Sequence, residues 1–251
     1  MGPILLCPHF LGARFLLIQV RRFINSLAVR SCMRARSLKG KAKRAAAGRL
    51  LVIACHPDDE SIACGGTIAA HVADGWEAHV LVLTSDARTP GLAAIRKREC
   101  RDACEALGAQ PPIFVDIPER RLSQHPDAFA AGVAKVLRNV RPRKVFLHGP
   151  IDINRDHRAA ALMGRQVLRN IGYPGELYQY CVWFPTNIAL GPYPLRTIGI
   201  SSYSSCKDRA MACYPSQAGI IRQLRFLLRA TNRVAGLLSR ERDAEVFSRR
   251  Q

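Results

Sequence analysis

The chain has 251 residues, enough for one sizeable α/β domain with its own core. Its 38 Lys and Arg against 19 Asp and Glu give a formal charge of +19, which speaks of partners (nucleic acid, an anionic membrane surface, a phosphorylated substrate) and not of fold. Nine cysteines without a CxxC pair argue against a four-cysteine zinc site, and the longest apolar run near the start, Phe15 to Val20, is far too short to span a membrane.

Residues 1–50 carry eleven basic residues and no acidic one, densest at Arg34, Arg36, Lys39, Lys41, Lys43 and Arg44. Residues 1–48 are therefore read as a basic N-terminal extension, either without fixed structure or an amphipathic helix on a membrane face. They lack a signal-peptide layout, and the scattered thiols suit a reducing cytoplasm. Residues 49–251 are expected to form the folded domain.

From there the apolar pattern alternates. Residues 50–54 read as a buried strand, 61–74 as a helix stopped by Gly75, and 78–83 as a second strand. Residues 92–107 form a helix ended by Gly108, followed by a strand at 113–117 and an amphipathic helix at 126–140. A fourth strand covers 144–147, a helix 156–170 and a fifth strand 179–184. After Pro194 the alternation fades, leaving helices at 206–214 and 220–238. Repeated strand–helix alternation predicts an α/β fold: a Rossmann-like doubly wound, mostly parallel sheet with helices on both faces. Such sheets bind ligands at the carboxyl ends of their strands.

Two clusters fall at such ends. The first strand runs into Cys55-His56-Pro57-Asp58-Asp59-Glu60. One histidine and three carboxylates so close together repel one another unless a cation joins them, and His with Asp suits zinc, iron or another divalent ion. The bland alternative is a solvated acidic loop in which Asp59 or Ser61 caps the next helix. The second cluster, Asp152 to Arg158, follows the fourth strand, and its His157 alone would read as a surface or capping histidine. Two clusters at matching strand ends favour a site.

These residues resemble the LmbE-like, or PIG-L, N-acetylglucosaminyl deacetylases, which carry a strand followed by (A/P)HPDDE and a later HxDH-type motif. The resemblance covers roughly residues 49–217. It includes Arg96 to Glu99 as an R-x-x-E helix ending in Leu107-Gly108, and Lys207 with Tyr214-Pro215-Ser216-Gln217. It implies His56, Asp59 and His157 as metal ligands, zinc first and Fe2+ second, with Asp58 as general base. It implies Arg96 and Glu119 as substrate contacts, although each also reads as an ordinary surface charge. Asp156 is a candidate partner that orients a ring or Arg158. One departure stands out. Where the family often has a histidine three residues before its ligand histidine, this chain has Asn154, which can donate to an oxyanion but cannot act as an acid. His71, His79, His125 and His148 have no motif support and read as ordinary histidines.

The expected activity is removal of the acetyl group from an N-acetylglucosamine-type sugar in a glycoconjugate or sugar–thiol precursor. The runners-up are an amidase on another N-acyl compound and a non-catalytic basic relative that binds membrane or nucleic acid. Nucleic acid is the weaker partner, because the basic excess lies mostly outside the motif-bearing part and no aromatic-studded basic strand occurs. The basic terminus would suit an anionic membrane surface, giving a cytoplasmic protein with the inner membrane face as a second location. Oligomeric state is not legible.

Overall fold

The computed structural model describes residues 47–86, 89, 91–183 and 195–250. The expected basic extension, apart from Ala47 and Gly48, lies outside the described residues. Five strands form the parallel part of a seven-stranded sheet: β1 (Arg49–Ala54), β2 (Glu77–Ser85), β3 (Ile113–Pro118), β4 (Lys144–His148) and β5 (Glu176–Tyr180). Helices α1 (Asp59–Ala73), α2 (Leu92–Ala106), α3 (Pro126–Val140) and α4 (Arg155–Asn170) join them in turn. The chain continues through β6 (Leu195–Gly199), α5 (Ser204–Ala212), α6 (Ala218–Ser239) and β7 (Ala244–Arg250). The strand order is β3-β2-β1-β4-β5-β7-β6, with β7 antiparallel to both neighbours.

The expected fold class is therefore observed, with two strands the sequence reading did not find and a fifth strand that begins three residues early. Strand β1 shows why the fold forms. All of Leu50 to Ala54 is buried, because a central strand of a doubly wound sheet is covered on both faces. Leu50, Val52 and Ala54 enter the layer packed by α1, α2, α5 and α6, whereas Leu51 and Ile53 enter the layer packed by α3 and α4. The glycines expected to stop α1 and α2, Gly75 and Gly108, have φ of 83° and 71°, a left-handed backbone that a side chain would strain.

The connections from β1 and β4 leave in opposite directions, toward β2 and toward β5. This is a topological switch point, where the sheet opens a crevice at the strands' carboxyl ends. Both sequence clusters emerge there.

Candidate metal centre and active site

β1 ends at Ala54, and the next four residues turn into α1. Asp59, in the first turn of α1, does not cap the helix. Its Oδ2 folds back to accept hydrogen bonds from the backbone N–H groups of Cys55 (3.1 Å) and His56 (2.8 Å). The residue before it, Asp58, adopts φ 121°, a left-handed conformation unusual outside glycine. Non-glycine strain of this kind persists only where surroundings enforce it, and it clusters at functional sites. Asp58, Asp59 and Glu60 are all buried, so the solvated-loop alternative does not hold.

From β4 comes the second half. Asn154 caps α4 through Oδ1, which accepts from Asp156 N at 2.9 Å. One turn of helix then places His157 opposite His56. His56 Nδ1 and His157 Nε2 are 3.1 Å apart, and each lies 3.4 Å from Asp59 Oδ2. Among the described residues two other groups have ligand-like spacing, Cys55-His56-Asp156 and His148-Asp152-His157. Only His56, Asp59 and His157 all line the large cavity of about 580 Å³ that opens here. That triad alone has room beside it for water and substrate, as a catalytic metal requires.

The surroundings favour positive charge. Burial works against charging His56, yet Asp156 and Asp59 hold its pKa up to about 10. Burial likewise opposes charge on His157, and Asp59 with Asp152 holds it up to about 9. Asp59 lies well below the usual carboxylate range: burial alone would raise it, but the charge of His157 and the hydrogen bond with His148 prevail. A donor set of two imidazole nitrogens and one carboxylate in a cation-favouring field fits a borderline divalent ion. Asp58 is different. Burial, reinforced by Asp59, raises its pKa well above the usual value, against the opposing pull of Arg96 and His56.

Around the triad, the expected substrate contacts prove to be linked. Arg96 is buried and does not pair with Glu99. Its guanidinium contacts Glu119 Oε1 at 2.5 Å, donates to Pro57 O at 2.9 Å, and lies 3.8 Å from Asp58 Oδ2. Arg96 and Glu119 both line the cavity. Asp156 accepts from Arg120 N and sits 3.6 Å from His56 Nε2, so it holds the His56 ring. Arg158 instead donates to the carbonyls of Asp152 and Ile153.

The sequence reading missed two neighbours. Asp152 Oδ2 lies 3.0 Å from His157 Nδ1. His148, read as an ordinary histidine, is fully buried at the end of β4. Its ring stacks on His157 at 4.1 Å, and its Nε2 is 3.2 Å from Asp59 Oδ2. Burial and the nearby His157 lower its pKa to about 4, so it stays neutral beside the ligands. Most of the far wall of the cavity is also outside the motifs: Val182, Trp183, Ile220 and Leu224, beside Gln217 from the Tyr214–Gln217 segment.

Residues 51–168 match the model of the PIG-L family, described as GlcNAc-PI de-N-acetylase, which bears out the resemblance read from the motifs. A 1D-myo-inositol 2-acetamido-2-deoxy-alpha-D-glucopyranoside deacetylase of Rhodococcus opacus is 31% identical over 41% of this chain, a match spanning 46% of that relative. The N,N'-diacetylchitobiose deacetylase of Pyrococcus horikoshii superposes with a TM-score of 0.69 at 22% identity, covering 90% of this chain and 91% of its own. GalB, a 4-carboxy-2-hydroxymuconate hydratase of Pseudomonas putida, gives 0.66 at 22% identity, covering 81% and 95%. At such identity the two structures share the fold, and the chemistry must be argued from the site.

Proposed function

We propose that this chain, whose residues 51–168 match the PIG-L family model, is a metal-dependent hydrolase that removes the acetyl group from an N-acetylglucosamine-type sugar in a glycoconjugate or sugar–thiol precursor. The observation that carries the reading is the triangle of His56, Asp59 and His157 beside Asp58 in an open cavity. Those three residues would hold the ion, and two nitrogens with one carboxylate oxygen suit zinc, with Fe2+ able to share the set. Bound there, such an ion polarises an acetamide carbonyl and makes water more acidic.

The chain's own groups do the rest. Asp58 takes the proton from the attacking water; burial raises its proton affinity, and Arg96 fixes its position from 3.8 Å. Asn154 has its Oδ1 committed to Asp156 N, so its amide N–H group is the donor available to a developing oxyanion. Because Asn carries no transferable proton, Asp58 returns its proton to the departing amine. Glu119, held by Arg96, accepts a hydrogen bond from a sugar hydroxyl. Acetate and a free amino sugar leave. None of the seven described cysteines forms a disulfide, in keeping with a cytoplasmic location.

The test is metal content and acetate release together. Purified protein is expected to hold about one divalent ion per chain, lost in His56→Ala and in His157→Ala. Asp58→Asn is expected to keep the ion while acetate release from N-acetylglucosamine conjugates falls at least about 100-fold. Full activity in Asp58→Asn would remove the base, and metal-free protein under zinc-loading conditions would remove the reading.

A further inference from the structure

We propose that the outer face of α6 docks on an anionic lipid bilayer. The helix spans Ala218–Ser239, and its inner side walls the cavity through Ile220 and Leu224. Its outer side is unusual. Phe226 is 82% exposed and Leu237 is 72% exposed, the two highest values among the exposed large hydrophobics of the described residues. A helix advances about 100° per residue, so residues eleven apart nearly coincide in direction. Phe226 and Leu237 thus lie on one stripe, and Arg222, Arg229 and Arg233 fall within about 60° of Phe226 on the same stripe. Arg225 flanks it. The helix contains no acidic residue.

Single exposed apolar side chains, such as Leu162 at 57% and Ile153 at 58%, are normal on a protein surface. A phenylalanine and a leucine set in a row of arginines are a different surface. The neighbouring acids do not neutralise it. Asp208 faces both Arg225 (3.7 Å) and Arg229 (2.8 Å), and Asp243 is shared by Arg233 and Arg242. Arg222 has no ion pair among the described residues.

The chemistry selects the occupant. Arginines pair with phosphate headgroups, and each basic residue near an anionic leaflet contributes about 1 kcal/mol, or about fivefold in partitioning. An aromatic ring among them enters the interfacial layer, where apolar area leaves water without crossing the bilayer. A spanning role is excluded for α6, because no described helix is long and apolar enough to cross a membrane. This inference stands apart from the hydrolase reading.

The experiment uses the full chain with vesicles of phosphatidylcholine alone and of phosphatidylcholine mixed with phosphatidylglycerol. Cosedimentation is expected with the anionic vesicles only, weakening as salt rises. Arg222→Gln should lower partitioning about fivefold, and Phe226→Ser about tenfold through lost apolar contact. Phe226→Trp should gain blue-shifted emission over the parent on anionic vesicles, a signal that binding through the basic residues 1–46 would not produce. Both side chains are exposed, so acetate release from a soluble substrate should stay at the parent value. Equal binding to neutral vesicles, or partitioning indifferent to both substitutions, would overturn the proposal. So would tighter binding to duplex DNA lost in the same variants, which would assign the face to nucleic acid.

Discussion

A histidine that holds a cation through one ring nitrogen needs its other nitrogen anchored, or the ring swings and its tautomer is undefined. His157 has that anchor in Asp152, 3.0 Å from Nδ1, and His56 has Asp156, 3.6 Å from Nε2. Asp152 is buried, and His157 holds its carboxyl below the usual range although burial pushes the other way. Asp152→Asn is therefore expected to weaken metal binding by about 10- to 100-fold. Chelator competition against the parent measures it, and unchanged affinity would show that Asp152 merely caps the loop through Asn154 N. Here the sequence was partly legible. His56, Asp58, Asp59 and His157 stood out because charge was dense at strand ends. Asp152 was visible in the second cluster, but nothing local says which carboxylate meets which ring. His148 was invisible for a plainer reason: it lies on a strand, and only the pairing of β4 beside β1 carries its ring to Asp59.

At the scale of elements, α1 is the part that must not move, since it begins with Asp59. Three others clamp it. Tyr214, just after α5, donates through its hydroxyl to buried Glu60 at 2.6 Å. Glu245 on β7 accepts from the backbone N–H groups of Gly66 (3.0 Å) and Thr67 (2.8 Å), midway along α1. Lys207 on α5 pairs with the same Glu245 at 2.6 Å, both buried. The glycines admit this approach: a Cβ on Gly66 would meet Ile200 at 2.7 Å, and one on Gly65 would meet Lys207 at 3.2 Å. Lys207→Met would strand a buried carboxylate, and uncompensated charges of this kind cost about 3–5 kcal/mol. Urea unfolding of the metal-free chain should show that loss, and a shift below about 1 kcal/mol would mean Glu245 finds another partner or a proton. Lys207 and Tyr214 were picked out in the sequence without a role. The partner of Lys207, Glu245, was not legible, because β7 follows a long helix and pairs antiparallel with strands outside the parallel run. The five parallel strands repeat one strand–helix unit that periodicity detects; β6 and β7 belong to no such unit.

Across the whole molecule, buried histidines divide by whether carboxylates or cations and apolar walls surround them. At the carboxyl end, carboxylates draw protons onto His56 and His157. At the amino end, His71 closes α1 against Lys144 on β4. Its Nδ1–H donates to Thr67 O at 2.8 Å, and its Nε2 accepts from Lys144 Nζ at 2.9 Å. Trp76 meets the ring edge-on at 5.2 Å and takes Lys144 over its face at 4.4 Å. Burial first, then the Lys144 charge, lowers the His71 pKa from 6.5 to about 4, against weaker upward pulls from the Thr67 carbonyl, Asp74 and Glu176. The folded state thus binds this proton less readily than the unfolded chain. Its contribution is fully present above 6.5 and disappears as pH falls toward about 4. A depression of this size corresponds to roughly 3 kcal/mol across the window. In His71→Gln the stability of the metal-free chain should consequently fall less steeply between those pH values than in the parent. Taking the difference between the two proteins removes His148, which is also held near 4 and titrates in both. Parallel stability curves would show that water or a rotated Lys144 lets the ring charge in place.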